Sequence, residues 1–556
     1  MNRLIDLINF DPKDMITMAQ ANFWIFFAVF FFIYTLLYKR TRMRSAYIIL
    51  ASLFFYYKSS GFFVGVLLFA TLYNYLLGLK ISRHVDDNPK KAKTWMVIGI
   101  IINVLVLCYF KYMYFFTDIY NGLFNGDAHV FNFLAFTGNG FSDYGYFSVD
   151  KIILPVGISF YTFKTIAYLV EVKKREIPAV RSLTDFTFFV TFFPSLIQGP
   201  IMRGKDFIPQ INATVKLTKE EFGLASYMFL KGLVKKMVLA DFIAIHFLNK
   251  VFEDPGTYSG MTNIFALMGY SLQVYADFAG YTDMAIGVAL LMGYKLKDNF
   301  NEPYKAVSCG DFWKRWHITL SSWLKDFIYI PLGGNRTGSW GSWIIVGLSL
   351  IFCMFAIENH IVLAVLMGSF ILMFFLLIVY EPFRFHFNRN INLMLTMLIG
   401  GLWHGASWNF VIWGGLNGIG ILVYKYWSKI SPYEKINHWT VIGFKILITW
   451  LFITYTRLYF RMPDIDSTLI WYDQVMNNLK FSWHSIEVLW EYFKWPVMAI
   501  LLGYALHWTP KKAKGWIQGS FIQAPIWVKG LAAILIVFIC HQSYSAKYVA
   551  FIYTSF

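Results

Sequence analysis

The sequence predicts an all-α, polytopic membrane protein. Of its 556 residues, 57% are hydrophobic and only 15% are charged. Apolar runs of roughly 20 residues, the length of helix that crosses a bilayer core, recur along the chain. None of them alternates with the period of two that a strand would need, and lipid leaves no partner for open backbone groups. A mean hydropathy of +0.51 is too apolar for a soluble protein of this size.

Ala21 to Tyr38, Phe62 to Leu79, Trp95 to Phe116, Ile361 to Tyr380 and Val441 to Tyr455 are the clearest candidate spans. Charge sets their direction. Lys39, Arg40, Arg42 and Arg44 put the first loop in the cytosol, and a tight helical hairpin separates it from the basic loop Lys80 to Lys93. The loop from Thr117 to Asp150 carries Asp118, Asp127, Asp143 and Asp150 with no Lys or Arg, as an outer loop does; Lys173, Lys174 and Arg175 return to the inner face.

Phe188 to Met202 is short, apolar and broken by Pro194 and Pro200, and is expected to enter the membrane and return. Lys295 to Lys325 is basic and aromatic, an inner-face helical region reaching up beside the core. Between Arg389 and Lys425 lies an apolar stretch with seven glycines and positive charge at both ends, which must dip and return or break midway. The same logic expects an outer loop from Arg457 to Lys494, an inner one at Lys511 to Lys514, and about twelve crossings in all.

The net charge of +17 comes from 49 Lys and Arg against 32 Asp and Glu. These cations sit in short loops between apolar runs, which points to membrane topology and not to nucleic acid. Cys108, Cys309, Cys353 and Cys540 have no close pairing or metal spacing, so neither a disulfide framework nor a metal site is expected. No cleavable signal is apparent at the amino terminus.

Two histidines stand out. His317 closes Asp311-Phe-Trp-Lys-Arg-Trp-His317, and His404 lies in Gly400-Gly-Leu-Trp-His404-Gly. Imidazole gains and loses a proton near neutral pH, and ionisable groups inside membranes tend to be functional. Trp403, Trp408 and Trp413 would wall a narrow cavity beside His404; a helix-packing face with its histidine bonded to a carbonyl would read the same. Trp313 and Trp316 suit a lipid interface, with Lys314 and Arg315 reaching headgroups or an anionic ligand. Asp326, Asn335 and Arg336 could orient neighbouring groups, as could a plain turn at Gly333-Gly334-Asn335. Asp277 and Asp283 are six residues apart, on different faces of a helix, and each is expected to pair with a cation or histidine of another helix.

These blocks together resemble the membrane-bound O-acyltransferase family, in its bacterial branch that acetylates polysaccharides. The resemblance rests on Leu154-Pro-Val-Gly157-Ile-Ser-Phe-Tyr161, Phe192-Phe-Pro194-Ser-Leu-Ile-Gln-Gly199-Pro200, Asp277-Phe-Ala-Gly280-Tyr-Thr-Asp283, Phe312-Trp-Lys-Arg-Trp-His317 through Pro331-Leu-Gly-Gly-Asn335-Arg336, and Gly401-Leu-Trp-His404-Gly. Tyr459-Phe-Arg461 and the closing Phe551 to Phe556 look like the polysaccharide branch too. Ala279 departs from the serine common there, and residues 1–20 precede the usual start.

The resemblance implies a bundle of transmembrane helices with re-entrant and horizontal helices enclosing a tunnel, with His404 and His317 as its catalytic histidines. Trp313, Lys314, Arg315, Trp316, Trp403, Trp408, Asp277, Asp283, Asp326, Asn335 and Arg336 are then expected to line the tunnel or hold the donor. It implies acetyl-CoA as donor substrate with no bound cofactor, a location in the bacterial cytoplasmic membrane, a polysaccharide acceptor, and an outer-face SGNH-hydrolase-like acetyltransferase as partner. The expected division is an N-terminal extension over 1–20, a catalytic core over 21–460, an outer loop over 461–495 and a C-terminal transmembrane pair over 496–556. D-alanyl transfer from a carrier protein to teichoic acid, and solute transport, remain the other readings.

Overall fold

The computed structural model describes residues 10, 16–139, 151–356, 360–479 and 483–543. Asp143 and Asp150 of the acidic loop, most of the N-terminal extension and the closing Phe551 to Phe556 lie outside them. Among the described residues every regular element is a helix. Five helical stretches are long and apolar enough to cross a membrane: Thr41–His84, Pro89–Lys111, Ile361–Val379, Trp439–Arg461 and Ile526–Ser543. The first is interrupted at Gly61, whose φ of 58° no continuous helix accepts. The protein is a multi-pass membrane protein.

Its centre is the helix Gly260–Leu291, 32 residues long and buried along most of its length. At 1.5 Å per residue it reaches roughly 48 Å, more than a bilayer core. It packs against Lys219–Val234, whose start is fixed by a capping box between Thr218 and Glu221 and whose end runs on as π-helix over Lys235–Asp241. A Cβ on Gly232 would meet the Gly280 carbonyl at 2.5 Å, so these two helices touch backbone to backbone. That contact explains a departure from the periodicity argument. Asp277 and Asp283 do lie on different flanks of their helix, yet both reach the same neighbour, Asp277 pairing with Lys236 at 2.6 Å and Asp283 with Lys235 at 2.7 Å and Lys231 at 3.2 Å. With only glycine between the backbones, carboxylates on either side of the seam reach across it.

The segment with Pro194 and Pro200 is a helix, Leu183–Thr191, followed by a turn at Phe193–Ser195 and irregular chain to Arg203, buried from Phe188 onward. Non-helical backbone survives at this depth because protein supplies its partners. Phe193 N donates to Ser52 Oγ at 3.2 Å and Ile201 N to Thr319 Oγ1 at 3.0 Å. The glycine-rich stretch forms Glu381–His404, stops at Gly405 in extended conformation, and turns back as Trp408–Ile430. Here Gly401 and Gly414 face each other, their would-be Cβ atoms 2.3 Å from the Phe410 carbonyl and 2.5 Å from the Met397 carbonyl. The hairpin closes there, with His404 at its tip.

Two expectations from charge are corrected. Trp316 is fully buried and not a lipid anchor, because it stacks on Phe312 and lies under the Arg457 guanidinium. Arg457 does not open an outer loop: the helix continues to Arg461, and Arg457 is 1% exposed within it. A cation held against aromatic faces escapes the rule that assigns charges to loops.

Candidate active site

Both histidines sit where a helix breaks. His404 is the last residue of its helix. His317 joins two short helices, Cys309–Arg315 and Ile318–Leu324, with φ 43° and ψ 55°. Left-handed backbone at a non-glycine residue is strained by about 1–3 kcal/mol and persists where surrounding structure enforces it, often at functional sites. The enforcing contact is a strap: Ile318 N donates to the Asn299 carbonyl at 2.9 Å and Asn301 N to the Arg315 carbonyl at 2.9 Å.

The two imidazoles are 0% and 2% exposed, and one indole contacts both. The Trp403 ring centroid is 5.9 Å from His317 and 4.9 Å from His404. Phe278 closes on His317 at 4.6 Å; Trp413 and Phe460 close on His404 at 4.9 and 5.3 Å. Trp403 is itself held by Phe160 and Phe163 at 5.5 and 5.4 Å, and Trp323 stacks on Phe163 at 3.7 Å. The site is an aromatic box whose rings come from six helices.

Asn299 fixes the protonation pattern of His317. Its side-chain oxygen faces Thr319 N at 3.1 Å, Thr319 Oγ1 at 2.8 Å and His317 Nδ1 at 3.1 Å. A backbone N–H can only donate, so the atom it meets is oxygen and the amide orientation is settled. Oxygen can only accept, so His317 Nδ1 carries the proton and Nε2 carries the lone pair.

A cavity of about 30 Å³ reaches His404. Lys111, Leu154 to Phe160, Ile197 and Trp403 complete its lining, with His317 not among them. Lys111 and Leu154 flank the acidic loop, so this opening belongs to the outer side by charge. Lys111 Nζ donates to the carbonyls of Trp403 at 2.7 Å and His404 at 3.1 Å. A cation on the last carbonyls of a helix satisfies acceptors that the helix leaves open, which anchors the His404 backbone.

Residues 95–378, half of the chain, match the model of MBOAT, the membrane-bound O-acyltransferase family. The chain belongs to that family. It is an O-acyltransferase. It is 34% identical over 457 residues to a probable alginate O-acetylase of Azotobacter vinelandii, covering 81% of this chain and 76% of the relative. It is 32% identical over 457 residues to a peptidoglycan O-acetyltransferase of Helicobacter pylori, covering 78% and 73%. A teichoic acid D-alanyltransferase of Bacillus subtilis is more distant, at 26% identity over 55% of this chain and 68% of the relative.

The acyltransferase gathers only part of the expected set around its histidines. Trp403 is in the box, Trp316 borders it under the Arg457 guanidinium, and Trp313 stands beside it, its ring 5.6 Å from Trp413 and its Nε1 donating to Asn417 at 3.3 Å. Trp408 is 39% exposed and packs on Phe115, away from the cavity lining. Asp277 and Asp283 are occupied by the lysines described above. Asp326 binds Arg203 at 3.1 Å, and Arg203 binds the buried Glu171 at 2.6 Å, a network that clamps the irregular segment. Asn335 and Arg336 are exposed on the turn after Gly333-Gly334, which Asn392 ties to the His404 helix through the carbonyls of Gly334 and Thr337. Lys314 is exposed and Arg315 pairs with Asp311 at 3.0 Å.

Asn299, Lys111 and Arg457 escaped the sequence argument. Lys111 and Arg457 had a usable signal, each being a cation within or at the end of an apolar run. Asn299 had none, since its partners are His317 and Thr319, and an Asn-Phe pair in a basic loop is unremarkable by itself.

Proposed function

We propose that this acyltransferase moves an acetyl group from cytosolic acetyl-CoA to the outer face of the bacterial cytoplasmic membrane, for O-acetylation of a cell-surface polysaccharide. The observation that supports this reading is that the outer cavity is lined by His404 and not by His317, while one indole contacts both rings. The acceptor hydroxyl enters from outside and gives its proton to His404. Its oxygen attacks the acetyl carbon, the C–S bond breaks, and the thiolate leaves with a proton. The lone pair on His317 Nε2 provides a second station for that proton on its way to sulfur.

The names of the alginate and peptidoglycan relatives support a glycan as the final acceptor. A cavity of about 30 Å³ holds little more than a water or two, so it suits a slender hydroxyl such as a serine side chain better than a sugar ring. That favours hand-over to an outer-face partner of the SGNH-hydrolase kind, which then modifies the polymer. The donor's phosphates would dock on the inner basic surface around Lys295, Lys297, Lys305, Lys314 and Arg315. The division into core, outer loop and C-terminal pair is part of the same proposal.

The test is His404→Gln in the full-length chain, with mass spectrometry of cell-surface polymers for 42-dalton increments, the mass of one acetyl group. Loss of acetyl with normal protein level is expected. Retained acetylation removes His404 from the mechanism, and dependence on a D-alanyl carrier protein would instead make this a teichoic-acid enzyme.

A further inference from the structure

The acyltransferase buries several cations, and they differ in what faces them. Arg44 donates to the carbonyls of Ile211 and Ala213, Lys111 to those of Trp403 and His404, and Lys164 to Ser195 Oγ. Lys236 meets Asp277 and Asp241, and Arg203 meets Glu171 and Asp326. Arg457 stands apart. It is 1% exposed, its Nε, Nη1 and Nη2 are buried, and among the described residues it forms no ion pair. The Tyr304 hydroxyl is its polar neighbour, a weak acceptor whose own proton goes to the Ser271 carbonyl, so the five-donor fork is not filled by it.

Position gives this cation a meaning. The guanidinium lies 4.2 Å from the Trp316 ring, next in sequence to His317, and 5.7 and 5.5 Å from Trp413 and Phe460, the two rings that close on His404. It is thus a third polar group of the same aromatic box, close enough for its charge to act on His404. Stacking fixes the plane of the fork and leaves its N–H groups available at the edge, where they are pre-organised donors for an anionic oxygen. Arg461, one turn further, makes the contrast: it reaches Asn249 at 3.2 Å and lies over Phe252 and Tyr270, away from the histidines.

Building on the acyl-transfer reading above, we propose that Arg457 is the oxyanion-binding residue, donating to the acetyl carbonyl oxygen of the donor as it becomes negative. As the hydroxyl oxygen bonds to the acetyl carbon and its proton passes to His404, the C=O pair moves onto oxygen, facing Arg457. When the carbonyl re-forms, the C–S bond breaks and the thiolate takes the proton. Charge is matched where it develops, in a buried aromatic site.

The test uses the full-length chain in nanodiscs with radiolabelled acetyl-CoA, reading acetate release as water in the outer cavity takes the place of the acceptor hydroxyl. Arg457→Met keeps the apolar stem on Trp316 and removes the donors. Its kcat is expected to fall by about 10² to 10³, the usual effect of losing an oxyanion donor, with KM for acetyl-CoA within about twofold. Added guanidinium ion is expected to restore part of the rate in Arg457→Ala, which a purely structural stack would not allow. Should the methionine variant not fold, Arg457→Lys carries the test, with a loss of at least about tenfold in kcat at unchanged KM, since a point charge lacks the planar fork. A folded Met or Lys variant at native kcat, or a loss confined to KM, overturns the assignment. If the native chain and His404→Ala release acetate equally slowly, the acyl-transfer reading itself fails; a native chain that is active beside an equally active Arg457→Met discards Arg457 alone.

Discussion

Replacing Asn299 by leucine removes the side-chain oxygen that faces the proton on His317 Nδ1. The side chain is nearly isosteric, and Asn299 is 1% exposed, so the change is felt at the imidazole and at Thr319. Losing a buried acceptor with its partners in place costs about 1–3 kcal/mol. If that energy alone holds the tautomer, the fraction of His317 with its lone pair on Nε2 falls by about 5- to 150-fold, and kcat falls with it. Asn299→Asp is the control that keeps an oxygen facing both Thr319 N and His317 Nδ1. It is expected to stay within about tenfold of native and to change the pH profile. A carboxylate favours the charged imidazole, a relay base works only when neutral, and the rising limb of kcat against pH therefore moves to higher pH. The assay is acetate release from radiolabelled acetyl-CoA across pH, beside thermal unfolding of each variant. A folded Asn299→Leu protein with native kcat, or an Asp variant as damaged as the Leu one, refutes the tautomer argument.

Trp403→Ala removes the indole that contacts both imidazoles; acetyl-CoA hydrolysis is expected to rise while transfer to the cell surface falls, and unchanged hydrolysis would mean the indole is no barrier. At the inner surface Lys297 binds Asp206 at 2.6 Å and Lys295 binds Glu221 at 3.0 Å, pairs exposed enough to exchange a carboxylate for a phosphate. Alanine at Lys297 or Lys314 should raise KM for acetyl-CoA by about twofold to fivefold, about 0.5–1 kcal/mol each, with the effect shrinking as salt is added. Lys236→Met strands Asp277 and Asp241 together without their cation, and is expected to destabilise the fold by about 3–5 kcal/mol in thermal unfolding. Asp277→Asn, which leaves Lys236 its contact to Asp241 at 2.7 Å, should be the milder of the two.

Most helices were legible because lipid enforces them. Ala21 to Tyr38, Phe62 to Leu79 and Val441 to Tyr455 appear as Ala21–Leu37, Val64–His84 and Trp439–Arg461, since an apolar run in a bilayer has no alternative to satisfying its own backbone. The break near His404 was legible too, as a stretch too long for one crossing with cations at both ends. Side-chain partnerships were not. Arg457 read as the edge of a loop because charge rules weigh solvent and lipid, and make no allowance for aromatic faces that arrive from residues 316, 413 and 460.

By itself the sequence determined that this is a helical membrane protein, which helices it has, and which two histidines to watch, because hydropathy, charge and motif are properties of neighbouring residues. Only the tertiary structure decided that one indole contacts both histidines, that a cavity reaches one of them, and that Asn299, Lys111 and Arg457 lie against them or the rings around them. Those facts depend on contacts between positions up to 293 residues apart, as between Lys111 and His404. Spacing along a chain does not encode such contacts; packing creates them.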